Sequence, residues 1–183
     1  MYRVNVDNLV YALLTKDDAT GVTYGTVTAV PDVQSIAMKA VTASGKAYGD
    51  GVLRKELTKL MAVEVEIELL RVPMAVRAAW LGHTVSTGTI EEDASATPPA
   101  LALGFRIPHD DGKAEYVWLY KGNASPIDDS AQQSTDQLTF TNSSLKFTFI
   151  PRVKDNKIRK WGDSNEAGFT GAATWFNAVP VPA

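Results

Sequence analysis

The chain has no cysteine and only two histidines in 183 residues. Without cysteine there is no disulfide framework, no thiolate nucleophile and no thiolate metal site, which suits a reducing compartment. No apolar run approaches the roughly 20 residues needed to span a bilayer. The opening Met1-Tyr2-Arg3-Val4-Asn5-Val6-Asp7 lacks the apolar core of a secretory signal, so we expect a soluble chain not exported by that route. An excess of positive charge is also missing. The net charge of −3 gives no electrostatic reason to expect tight nucleic-acid binding.

Sites built from motifs are missing as well. His83 and His109 do not form a metal-ligand spacing, and His109-Asp110-Asp111 runs into Gly112, which reads as a turn rather than a cation site. Gly45, Gly49 and Gly51 do not follow the phosphate-loop spacing. No activated-serine motif is present. Glu64, Glu66 and Glu68 could suggest a carboxylate pair for glycoside cleavage. The pattern shows only more carboxylates on their face and no apolar pocket to raise one pKa, so a water-facing strand is the better reading.

What is present is a chain of ordinary globular composition, 45% apolar and 21% charged, long enough for one domain with a substantial core. The charge is uneven. Residues 1–136 carry 12 basic and 18 acidic side chains, and residues 137–183 carry 6 and 3. Such a dipolar chain can match one end of itself to the other end of a neighbour.

The pattern is mainly β. Leu9–Leu14 is a short apolar strand, Lys16–Tyr24 a polar loop, and Thr26–Val30 and Val33–Val41 strands parted at Pro31-Asp32. Ser44–Gly51 reads as a long glycine-rich loop or hairpin. Val63–Leu69 alternates with period two, so Val63, Val65, Ile67 and Leu69 face a core while Glu64, Glu66 and Glu68 face water. Pro73 fits a first helical position, Met74–Leu81 a helix with Met74, Ala78 and Leu81 on one face and Arg77 turned outward, and Gly82 its left-handed end. Ala100–Ile107 and Glu115–Lys121 form a hairpin about His109–Lys113. Ala124–Asp136 is a polar loop, and Leu138–Val153 holds one or two strands with Phe140, Phe147, Phe149 and Ile150 as core candidates. Thr174–Val179 is an apolar tail. Many short strands and one flanking helix, with no repeat or linker, predict a β-sandwich or partly open barrel in a single domain, residues 1–183.

Several blocks, in order, resemble the major tail tube proteins of long-tailed siphophages. They are Asn8–Asp18 with Gly21–Gly25, Val72–His83, Ala102–Arg106 through Tyr116–Gly122, and Gly168–Thr170 with Trp175-Phe176-Asn177. No block is a catalytic signature; their ordered combination carries the likeness. The match is weakest over Val41–Leu60 and Gln132–Leu145. Some members of that family carry a C-terminal immunoglobulin-like domain, which we do not expect here.

The resemblance implies a β-sandwich or barrel with one helix and long loops between protomers, assembled as hexameric rings stacked into a hollow tube. It implies no enzyme activity and no cofactor. Its implied partners are further copies of the chain, the tape measure protein inside, the tail terminator and distal tail proteins at the ends, and DNA in transit without specific binding. No membrane is involved, and the implied location is the virion tail, with assembly in the host cytoplasm. Such a lumen must not hold phosphates, so Glu64, Glu66 and Glu68 are candidate lining residues, with the outer surface of the tube as their rival place. The basic stretch Arg152, Lys154, Lys157, Arg159 and Lys160 is a candidate contact between rings, with Glu91, Glu92 and Asp93, or Asp128 and Asp129, as acidic counterparts. Asp17–Tyr24 and Ala43–Leu53 are expected to order on assembly. Two other readings stand beside this one: a tube protein of a contractile tail or secretion system, and a carbohydrate-binding β-sandwich using Trp118 or Trp161.

Overall fold

Alternation accounts for the long strands, and burial on both faces accounts for the apolar ones. The computed structural model describes residues 2–127 and 142–182. The strands before the helix are β1 (Asp7–Asp18), β2 (Gly21–Tyr24), β3 (Thr28–Ala29), β4 (Val33–Gly49) and β5 (Val52–Leu69). Helix α1 (Met74–Leu81) is followed by β6 (Val85–Ser86), β7 (Thr89–Ile90), β8 (Leu101–Pro108), β9 (Ala114–Ala124), β10 (Ser143–Phe149) and β11 (Arg159–Asp163). The main antiparallel sheet runs β2-β1-β8-β9-β10-β5-β4, with β3 also on β1 and β11 also on β9. β6 and β7 form a separate small hairpin. The class is mainly β with one helix.

β3 lies on one margin of this sheet and β4 on the other, joined by Val30, Pro31 and Asp32 alone. At roughly 3.5 Å per residue that link spans no more than about 14 Å. The two margins therefore approach each other and the sheet curls into a partly open barrel. Asp32 turns the corner at φ 65, and its carbonyl accepts from Leu70 N–H at 3.0 Å.

Two cores result. The inner one gathers Leu9, Tyr11, Val63, Val65, Ile67, Leu69, Leu103, Phe105, Val117, Leu119, Phe147 and Phe149, with Val76, Trp80 and Leu81 from α1. Trp80 is its centre, edge-on to Tyr11 at 5.6 Å and to Phe147 at 5.1 Å. The outer core sits on the opposite face of β1, β8 and β9. There Val10, Ala12, Ala102, Tyr116, Trp118 and Tyr120 are covered by Phe169, Trp175, Phe176 and Val179 of the C-terminal segment. Trp118 Nε1 donates to the Trp175 carbonyl at 2.9 Å. This cover explains why β1, β8 and β9 read as continuous apolar runs rather than alternating ones.

The expected alternation of β5 holds over Val63–Leu69, and Gly82 ends α1 at φ 76. The hairpin about His109–Lys113 holds too, as β8 and β9. Other expectations need correction. Lys16–Tyr24 is not a loop: β1 continues to Asp18 and pairs with β2, turned by Ala19-Thr20, where Asp18 Oδ1 accepts from the N–H groups of Thr20 and Gly21. Of the two readings of Ser44–Gly51, loop or hairpin, the hairpin holds: Ala43–Leu53 is paired strand about an Asp50-Gly51 turn, both at positive φ. Pro73 sits just before the helix, at φ −58 and ψ 139. Met74 is exposed, and Val76, Ala78, Trp80 and Leu81 form the buried face. Ile150 is exposed because it lies one residue past β10, while Phe147 and Phe149 are buried. Phe140, Asp128 and Asp129 lie outside the described residues.

Candidate assembly surface

The carboxylates of β5 stand on the solvent side of the sheet, opposite the inner core. Their neighbours across the ladder decide the character of that face. Glu64 lies between Lys39 and Thr148, Glu66 between Ala37 and Lys146, and Glu68 between Ser35 and Ser144. Lys39 Nζ approaches Glu64 at 3.9 Å, Ser144 Oγ donates to Glu66 at 3.0 Å, and Ser35 Oγ to Glu68 at 2.8 Å. The structure thus brings the three glutamates together, but between two lysines that the sequence alone did not connect to them.

The basic stretch divides. Arg152 is 2% exposed and belongs to the protein's own framework. Its guanidinium takes Asp155 in a fork at 3.0 and 2.6 Å, donates to the Pro180 carbonyl at 2.8 Å and lies 3.7 Å over the Tyr120 ring. Burial is the largest single influence and opposes its charge, but the hydrogen bonds and charge interactions with Asp155 and Tyr24 together outweigh it and raise its pKa further. Arg152 is therefore no docking residue, because a buried, fully engaged cation cannot be lent to a neighbour. Lys154 is exposed but also engaged within the chain, donating to the Ala19 carbonyl at 3.1 Å. Beside it Asp17 accepts from Lys121 Nζ at 2.7 Å and from Val153 N–H at 2.9 Å. Burial alone would raise the Asp17 pKa; the hydrogen bonds from Lys121, Val153 and Lys154 hold it below the ordinary carboxylate range.

That leaves Lys157, Arg159 and Lys160 facing outward. Lys160 lies over the Trp175 ring at 5.3 Å, and Trp161 is flanked by Arg3 at 5.7 Å and Arg159 at 5.5 Å. Glu91, Glu92 and Asp93 are exposed after β7. Glu92 reaches Arg77 at 3.4 Å, so Arg77 is engaged rather than free, and Asp93 caps its own turn through Ser95. The Ser95 hydrogen bonds hold the Asp93 pKa low.

The feature that sequence reasoning missed is a ribbon. Beyond Val63, β5 leaves β10 and, among the described residues, pairs with β4 alone through Thr42↔Leu60 to Gly49↔Val52. Tyr48, Val52, Leu53, Leu57, Leu60 and Met61 are all exposed there. Paired residues share a face, so Leu53 and Tyr48 fall on one side with Leu60, and Leu57 and Val52 on the other. The signal in the sequence was Val52–Met61 itself, a strand-length run whose apolar positions fit no single buried face. At the base of the ribbon, Leu60, Met61, Pro151 and Ile158 floor a groove of about 430 Å³ rimmed by Lys59, Lys157 and Arg159.

Among the described residues no three His, Asp or Glu side chains group so as to hold a metal. His109 is buried, its Nε2 3.1 Å from Glu115 and its Nδ1 3.3 Å from Asn165 Nδ2, so it secures a turn. Trp118 is fully buried and cannot stack on a sugar, which removes one of the two aromatics from the carbohydrate reading. No helix among the described residues is long and apolar enough to cross a membrane. No protein-family model matches the chain, and no curated protein matches it in sequence.

Proposed function

We propose that this chain is a structural subunit of a phage tail tube, copies of which join into hexameric rings that stack into a hollow conduit for DNA. The observation that carries the reading is the β4–β5 ribbon. Two-stranded ribbons are marginal in water on their own, and this one exposes Tyr48, Val52, Leu53, Leu57, Leu60 and Met61. Such a surface is stabilised when another chain covers it. The outer edge of β4, unpaired among the described residues, supports the same reading, since an open edge is a hazard in a monomer and a joint in an assembly. The ordered resemblance to siphophage tube proteins specifies which assembly. On this reading the chain is not an enzyme and needs no cofactor, and it works in the virion tail. Its partners are its own copies, the tape measure, terminator and distal tail proteins, and DNA in transit.

The test is self-assembly. Concentrated protein is expected to form rings or hollow tubes of uniform width under negative-stain electron microscopy. Replacing residues 44–58 by a two-residue Asn-Gly turn should leave a folded monomer that no longer assembles. An intact chain that stays monomeric at high concentration counts against the proposal, as does a shortened one that still builds tubes.

A further inference from the structure

The groove at the base of the ribbon has a floor of Leu60, Met61, Pro151 and Ile158 and three cations at its rim. Among the described residues none of Lys59, Lys157 and Arg159 has a carboxylate within ion-pair distance: Asp155, the acid nearest Lys157 in sequence, is taken by Arg152, and Glu56, the acid nearest Lys59, by Lys46. Leu60 is 40% exposed and Met61 52%. An apolar trough edged by cations that have no carboxylate partner among the described residues fits a short segment that offers an apolar side chain followed by carboxylates.

This chain carries such a segment. Ile90 ends β7 and leads into exposed Glu91, Glu92 and Asp93. The two features sit at opposite ends of the β5–β10 pair. The groove adjoins the end where Val63 meets Phe149, through Met61 and Pro151. The acidic loop packs beside Pro126 and Ile127, which follow Ser125; Ser125 N–H donates to the Lys146 carbonyl, and the chain runs on from there toward the end where Leu69 meets Ser143. Sites at opposite ends cannot meet within one molecule, but they can meet between two copies arranged head to tail. We infer that the groove receives Ile90–Asp93 of a second copy, a heterologous contact that repeats along a stack. The inference rests on the tube reading and names the contact that joins successive layers.

The test uses the intact chain while it assembles. Zero-length carbodiimide coupling joins carboxylates to amines in contact, and intermolecular Glu91–Lys157 or Glu91–Lys59 peptides are expected. Their absence from an assembly that cross-links elsewhere overturns the contact. Independently, Lys157→Glu with Arg159→Glu should slow growth by about tenfold, as should Glu91→Lys with Glu92→Lys, since several charges act together. All four changes in one chain should restore growth. Reversals that leave the rate unchanged overturn the contact and leave the tube reading standing. An intact chain that never associates overturns both. Near-ultraviolet circular dichroism confirms folding, and if a reversed variant does not fold, the cross-links decide.

Discussion

Three glycines are placed for closeness rather than for a turn. Gly104 pairs with Trp118 and Gly122 with Phe149 across the ladder, and Gly162 lies under Phe169. A Cβ on Gly122 would come within 2.6 Å of the Phe149 ring, whereas one on Gly21 would meet nothing within 4 Å. Phe149 is fully buried and cannot swing away, so Gly122→Ala should destabilise by about 1–3 kcal/mol, and Gly21→Ala should do little. Thermal unfolding of both checks this; equal melting temperatures would remove the steric explanation. Asp17 makes a second point at this scale. Its depressed pKa means that its stabilisation is fully present above about pH 4 and is lost as pH falls through the lower folded value. The advantage of the native chain over Asp17→Asn in denaturant unfolding should therefore shrink on going from neutral to acid pH. A constant gap would mean that the Asp17–Lys121 pair contributes nothing through its charge. Neither feature was legible in the sequence. Gly122 stands opposite a phenylalanine only once register is set, and Asp17 meets Lys121 104 positions away.

At the scale of elements, what could be read was what a core imprints. Val63–Leu69, the hairpin about His109–Lys113 and the glycine end of α1 each leave a local pattern, and each formed as expected. Lys16–Tyr24, misread as a loop, and Ser44–Gly51, read as a loop or a hairpin, are strands with few buried side chains, so no apolar period marks them. Their pairing comes from a partner strand, which composition does not show. Met74 and Ile150 were misassigned for the opposite reason: they are apolar residues just beyond the reach of the core. The corrected picture alters one expectation about dynamics. Asp17–Tyr24 is already clamped by the Asp17 hydrogen bonds and should exchange slowly with or without assembly. The ribbon from Thr42 to Leu60 has solvent on both faces and should exchange quickly in the free protein and slowly in the assembled one. Hydrogen exchange by mass spectrometry separates the two segments. A ribbon equally protected in both states would show that it does not dock.

The whole molecule presents one broad polar face, and its charge decides what could slide along it. Glu64, Glu66 and Glu68 were singled out from alternation alone, but Lys39 and Lys146 stand among them, so three carboxylates share the face with two ammonium groups. If this face lines a tube, the wall is only weakly acidic, and at physiological ionic strength its field fades within about 8 Å. Such a wall neither binds DNA nor repels it far. Changing all three glutamates to lysine would leave five cations and no carboxylate on these ladder positions. The fold should survive, because Val63, Val65, Ile67 and Leu69 on the other face are untouched and the exposed Lys39–Glu64 pair contributes little. Every protomer of a ring would then add cations to the lumen, and each phosphate contact releases counterions, so retention should rise steeply as salt is lowered. The expected outcome is tubes of normal width by electron microscopy that co-sediment with duplex DNA at low salt and release it at high salt, while native tubes retain none. Lysine-bearing tubes that fail to retain DNA at low salt, or an assembled structure with Glu64, Glu66 and Glu68 on the outer wall, would show that this face is not the conduit.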